Sequence, residues 1–352
     1  MTTILSLAAR DFIVVGCDSL ATTSMPLAHP HQLISDFFDQ NGALKIAADG
    51  APVLRSAAQI WAKASQKPVN QLPSVTKLFD LGTPAKKGLP IPQACLLFAG
   101  ASQIGEITIR NLVETFKEDQ RFKSLRSHYT MATLVERLKD HVLEVYDKQI
   151  PAPQEWARPY MEILISGYST DYREPEVWRV DFYWNHVAKQ FQHNVTEMVK
   201  RGDHNINFGG QYDVIQRVVT GVDWDSYEAL RSRCSELLEE SFQEIESGLR
   251  AGGFTGNIPK PDFSDSKYDL FSKNRGGVTQ LFYGSDVGSL SEQAGIDLVY
   301  FLIDVMIKAQ EFSKSIPTVG GDIHVGRLTK NDGFRWISPE TYKFKEQHIP
   351  KF

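Results

Sequence analysis

Two short apolar runs open the chain. Residues 3–8 (Thr-Ile-Leu-Ser-Leu-Ala) and 12–17 (Phe-Ile-Val-Val-Gly-Cys) flank Ala9-Arg10-Asp11, and the pattern predicts two strands joined by a short turn. Residues 24–73 break the pattern with Pro26, Pro30, Pro52, Pro68 and Pro73 and a weakly amphipathic stretch at 53–64. They are expected to form an insertion with some helix rather than further strand. Strand character returns at 75–81 and 94–99, separated by a Gly/Pro/Lys loop at 82–92 that carries Lys86-Lys87. Directly after Gly100 a helix is expected through Ile104, Ile107, Leu112, Val113 and Phe116. A second helix at 132–147 places Val135, Leu138, Val142, Val145 and Tyr146 on one face.

Further on, 161–167 and 176–183 read as a strand hairpin around 171–175. Gly209-Gly210 then leads into a helix through Val214 and Val218. Residues 225–250 predict an acidic amphipathic helix with Leu230, Cys234, Leu237, Leu238, Ile245 and Leu249 on its apolar side. A long loop is expected at 251–277, a strongly apolar helix at 291–312 and a closing strand at 321–328. Strands arrive in adjacent pairs with helices between the pairs, so the order predicts antiparallel hairpins with helices outside. That is an α+β sandwich rather than a βαβ fold.

Bulk properties narrow the function classes. The 352 residues are 42% hydrophobic and 23% charged, ordinary for a globular protein. A net charge of -5 and a pI near 6.0 give no electrostatic footprint for nucleic acid and no polybasic membrane patch. Cys17, Cys95 and Cys234 are too few and too scattered for a disulfide framework or a zinc motif, so neither metal nor cofactor is expected. Cys17 and Cys95 lie in apolar runs, where a free thiol behaves as a small hydrophobe. Residues 1–20 lack a basic segment followed by an apolar one, and the most apolar helix is interrupted by Asp297 and Asp304. The expected compartment is therefore the cytoplasm.

The first hairpin carries candidate chemistry. With the turn centred on Arg10, Thr2 lies opposite Asp18, with Cβ atoms roughly 4.5–5.5 Å apart. Thr is small enough for Met1 to be removed before it. A threonine at a free N-terminus can use its own α-amine, with an ordinary pKa of about 7.7–8.0, as general base for its Oγ. It still needs a nearby positive charge and an oxyanion hole.

Thr2-Thr3-Ile4-Leu5, Val14-Val15-Gly16-Cys17-Asp18-Ser19 and Ala21-Thr22-Thr23 resemble the start of mature proteasome β subunits and of HslV. Val75-Thr76-Lys77-Leu78-Phe79 resembles that family's strand bearing the catalytic lysine, and Leu97-Phe98-Ala99-Gly100 the strand end whose glycine N–H forms the oxyanion hole. The resemblance implies an N-terminal-nucleophile hydrolase fold, a four-layer αββα sandwich of antiparallel sheets, in one domain over 2–352 with insertions at about 24–73 and 221–290. It implies Thr2 as nucleophile, Asp18 and Lys77 as its charge pair and Gly100 as oxyanion donor. A helix starting at Ala101 would add its dipole. The substrate would be a peptide or another amide, cleaved through an ester on Thr2, and the family's habit implies a homo-oligomeric ring. No feature points to an ATPase partner.

The later pattern departs from the family. The serine that supports the nucleophile's amine falls on Phe208, leaving Asn207 and Gln211 as polar candidates. The second aspartate and its serine fall near Ile316 and Val319, with Ser313 and Ser315 nearby. Two further readings therefore stand beside a peptidase: a small-molecule amidase or acylase with the same nucleophile, and a non-catalytic scaffold subunit.

Overall fold

A computed structural model of the chain describes residues 2–27, 37–39, 43–46, 52, 65–72, 75–82, 92–125, 128–220, 224–260, 287–313 and 317–338. The stretch at 53–64, Lys86-Lys87, most of the loop at 251–277, Ser315 and Ile316 lie outside the described residues.

The chain begins with β1 (Thr3–Ala8), β2 (Phe12–Asp18), β3 (Ala21–Leu27), β4 (Ser65–Leu72), β5 (Leu78–Asp80), β6 (Ala94–Gly100) and the short pair β7 (Gln103–Ile104) and β8 (Ile107–Thr108). Three helices follow: α1 (Ile109–Glu118), α2 (Gln120–Lys123) and α3 (Met131–Gln149). Then come β9 (Met161–Gly167), β10 (Glu176–Asn185), β11 (Gln190–Val199) and β12 (Asn205–Gly210). The remainder is α4 (Asp213–Thr220), α5 (Trp224–Ala251), α6 (Glu292–Glu311), β13 (Ile323–Thr329) and β14 (Gly333–Ser338).

Among the described residues the strands form two five-stranded antiparallel sheets, ordered β12-β1-β2-β13-β14 and β11-β10-β9-β6-β5. The α+β expectation of antiparallel sheets therefore holds. The two-residue side-chain period sorts each strand into two faces. Ile4, Ile13, Val15 and Cys17 meet Leu78, Cys95, Leu97, Ala99 and Leu164 between the sheets. Leu5, Leu7, Phe12, Val14 and Val325 face the other way, onto Val299, Leu302, Ile303 and Met306 of α6. Phe79, Leu96, Phe98, Ile163 and Ile165 pack on Leu112, Phe116, Leu134, Leu138 and Tyr146 of α1 and α3. Cys17 and Cys95 are buried, as their apolar surroundings predict. Where a polar side chain enters the layer between the sheets it finds a partner there: Ser6 and Ser166 share a 2.8 Å hydrogen bond.

Several expectations need correction. The helix foreseen at Gly100 starts at Ile109, because β7 and β8 form a small ladder around Gly105, whose φ of 56° suits the tight turn, and Thr108 then caps the helix through its bond from Asn111 N–H. The dipole expected from a helix starting at Ala101 is therefore not supplied by that segment. Residues 24–73, expected to lack strand, contain part of β3 and all of β4, which pair as a two-stranded ribbon. Strand β11, rich in polar residues, and strand β14 lie at sheet edges among the described residues, where an open face weakens the apolar signal. The helix at 225–250 forms, but its apolar side chains Leu230, Leu237, Leu238, Ile245 and Leu249 are exposed rather than buried.

Candidate functional site

The site is built at the open ends of β1 and β2. Ala9 N–H bonds to Phe12 O at 2.9 Å, leaving Arg10-Asp11 as a two-residue turn, and Ile4 pairs with Cys17. The hairpin is thus centred between Arg10 and Asp11, one step from the register expected with Arg10 at the centre. Thr3, not Thr2, faces Asp18. The correction matters because one residue exchanges the two faces of a strand. Thr2 now shares the face of Ile4 and Ser6, between the sheets, and is 4% exposed.

Asp18 is fully buried and accepts four hydrogen bonds. Oδ1 takes Lys77 Nζ at 2.8 Å and Thr3 N–H at 2.9 Å; Oδ2 takes Gly320 N–H at 3.0 Å and Leu20 N–H at 3.2 Å. A buried carboxylate persists only when paired and bonded in this way. Lys77 is buried as well and donates a second bond to Leu20 O at 2.5 Å. It sits on the segment leading into β5, and its own carbonyl accepts Phe98 N–H from β6 at 3.0 Å. The ammonium is thereby tied to the peptide unit that joins Thr2 to Thr3.

Gly100 ends β6 with φ 91°, a left-handed conformation that glycine adopts without strain, and a Cβ there would press on the Tyr160 carbonyl. Alternate amides of a strand leave from the same edge. The Gly100 N–H therefore follows Phe98 N–H on the Lys77 side of β6.

Of the polar residues considered in place of the family serine, Gln211 is at the site. Its N–H donates to Thr2 O at 2.7 Å, and its carbonyl accepts Thr3 Oγ1 at 2.6 Å. Its side-chain Oε1 accepts Thr318 Oγ1 at 2.5 Å, and Thr318 N–H reaches Gln310 Oε1 at 3.4 Å. Asn207 is not brought to Thr2. It pairs with Ser6, four residues along β1 and so about 13 Å away at strand rise. Phe208 packs against Tyr212 with ring centroids 4.9 Å apart and planes tilted by 43°, against the α6-side core. Thr318, Gln310 and Gly320 were not foreseen. A polar Thr ahead of Val319-Gly320-Gly321 was the available signal, but its partners lie far away in sequence.

No family model matches the chain, and no curated protein matches it. Among solved structures it is similar to an Anbu (Gly-1) mutant from Hyphomicrobium sp. strain MC1, with 10% identity over 97% of this chain and 89% of that one and a TM-score of 0.41. That likeness is too distant to carry an argument. Membership of the proteasome β and HslV family, inferred from the blocks at Thr2, Asp18, Lys77 and Gly100, is accordingly withdrawn: the blocks are short and do not extend into a family-level match. Among the described residues no helix is long and apolar enough to cross a membrane.

Proposed function

We propose that the chain is an N-terminal threonine hydrolase of amide bonds, with Thr2 as nucleophile once Met1 is removed. The reading rests on the site and not on kinship. The observation that carries it is the shared Asp18 Oδ1, which accepts both Thr3 N–H and Lys77 Nζ and so holds a cation at the end of β1. The three stacked apolar layers support the finer architectural reading, an αββα sandwich with its working end where β1 begins.

In the proposed reaction Thr2 Oγ attacks the substrate carbonyl carbon while the Thr2 α-amine takes the hydroxyl proton. The Lys77 ammonium favours negative charge on Oγ, and the Gly100 N–H faces the oxyanion of the tetrahedral intermediate. The C–N bond breaks as the amine passes its proton to the leaving nitrogen, leaving an ester on Thr2. Water then adds to the ester, the amine again accepting a proton, and the acid product departs with the hydroxyl restored. Gln211 holds the Thr2 carbonyl throughout.

The test is mass spectrometry of the intact chain and its N-terminal peptide before and after a β-lactone. Loss of Met1 and one adduct on Thr2 are expected. A retained Met1, or an adduct absent from Thr2, sinks the proposal. A panel of peptides and small acyl-amides then separates a peptidase from an amidase.

A further inference from the structure

The buried acid at the centre of this inference is Glu162. On β9, Met161, Ile163 and Ile165 face the helices, whereas Leu164 and Ser166 face the opposite sheet. Glu162 shares the second face, at the end nearest Gly100, and is paired with Ala99 on one side and Asp181 on the other. It is 1% exposed. A carboxyl placed at the edge of an apolar layer is costly unless its oxygens find partners.

One of its partners leads to Thr2. Oε2 accepts Gly210 N–H at 2.8 Å and Tyr160 OH at 3.2 Å. Oε1 lies against Gly209, where any Cβ would collide with the carboxyl group. Arg179 Nε is 3.1 Å from Oε1, but its N–H is aimed at Asp181, so Oε1 has a charge contact and accepts no hydrogen bond. Gly210 turns with φ 71°, and a Cβ there would strike the Thr2 carbonyl oxygen. The next residue, Gln211, donates its N–H to that same oxygen.

We infer that Glu162 is a positioning residue for the Thr2 nucleophile, gripping the Gly209–Gly210 turn whose far end holds the Thr2 carbonyl. The inference rests on the reading of Thr2 given above. Polar acceptors of lower cost could hold one N–H; what the carboxylate adds is sensitivity to protonation. Burial pushes the Glu162 carboxyl above the usual carboxylate range, opposed by the Arg179 charge and by Gly210 N–H. The charged and titratable groups facing it are Arg179, Asp181 and Tyr160, while β12 presents only Gly209 and Gly210 to it.

The experiment uses the full chain labelled with ¹⁵N on glycine and glutamine, in the wild type and in Glu162→Gln. Gly210 and Gln211 amide resonances are followed with pH, in parallel with the rate of β-lactone attack on Thr2. In the wild type both amides are expected to move through one shared titration that is absent from Glu162→Gln, and the variant should label Thr2 at least tenfold more slowly while keeping the acid limb that the Thr2 α-amine itself imposes. Glu162→Asp serves if the Gln variant does not fold. It keeps the titration but draws the carboxylate back by one methylene, and should slow labelling to a similar degree. If Gly210 titrates while Gln211 and the labelling rate stay unchanged, Glu162 is a local acceptor and the inference is overturned. If wild-type Thr2 is never labelled, the hydrolase reading falls, and the Gly210–Gln211 titration still decides whether Glu162 sets the position of the Thr2 carbonyl.

Discussion

Thr3 and Asp18 stand opposite each other across the first hairpin, with Thr3 N–H donating to Asp18 Oδ1 at 2.9 Å. The same oxygen carries Lys77, so one carboxylate fixes both the direction in which β1 ends and the cation beside it.

Asp18→Ala should therefore be the most damaging change at the site. It leaves Lys77 buried without its counter-ion and the Thr3 and Gly320 N–H groups without this acceptor, while Leu20 N–H keeps the Gly320 carbonyl. Breaking a buried pair from one side costs about 3–5 kcal/mol. Urea denaturation should show a loss of that order, together with loss of Thr2 labelling.

Lys77→Ala separates charge from scaffold. Asp18 keeps its three backbone donors, so the fold should survive better than in Asp18→Ala, while β-lactone labelling of Thr2 should drop at least a hundredfold, a factor of about 2.7 kcal/mol in the barrier. Labelling at the wild-type rate would mean that the ammonium does not assist the nucleophile.

Gly210→Ala tests the close approach of β12 to β1. Its φ of 71° and the Thr2 carbonyl in the path of a Cβ oppose the change, and incompatible backbone of this kind costs on the order of 1–3 kcal/mol. Thermal melting should register the loss, and Thr2 reactivity should fall further than stability because the terminus itself is displaced. A variant with wild-type reactivity would show that β1 ends independently of β12.

Ser6 and Ser166 offer a double-mutant cycle across the two sheets. Either single change to Ala leaves one fully buried hydroxyl without its partner, at about 1–3 kcal/mol. The double change should cost less than the sum of the two singles. Additive losses would mean that the pair is not coupled.

Glu162 bears on stability in the opposite sense from activity. A carboxyl whose pKa is raised on folding binds protons more tightly in the native state, so its contribution is fully present below the unfolded value, about pH 4, and is lost as pH rises through the raised folded value. The difference in urea midpoint between Glu162→Gln and the wild type should therefore shift in favour of the variant as pH rises from 4 to 7. A pH-independent difference would show that the wild-type carboxyl does not change protonation preference on folding.

The sequence patterns located β1, β2, β6, β9 and the helices α3 and α6, because each has a strong apolar period and a defined turn or cap. The resemblance of the short blocks, not these patterns, implied Asp18 and Lys77 as a charge pair, and the structure joins them at 2.8 Å. The patterns missed the hairpin register by one step, since Arg10-Asp11 closes the turn with two residues and nothing in Ala9-Arg10-Asp11 distinguishes that from three. Strand β12 was hidden because Asn205–Gly210 has polar and glycine positions among its apolar ones. Glu162, Thr318 and Gln310 were invisible for a different reason: an acid in an apolar strand, or a Thr before two glycines, acquires meaning only from partners such as Gly210 and Gln211, separated by 48 and 107 residues.

The four donors to Asp18 come from Thr3, Leu20, Lys77 and Gly320, the last 302 positions downstream. The first hairpin closes on contacts local in sequence, yet the Asp18 carboxylate is completed only when the segment around Gly320 packs against it. Completion of this site is thus a late event of folding: the hairpin is local, whereas the shell of its carboxylate is a long-range contact.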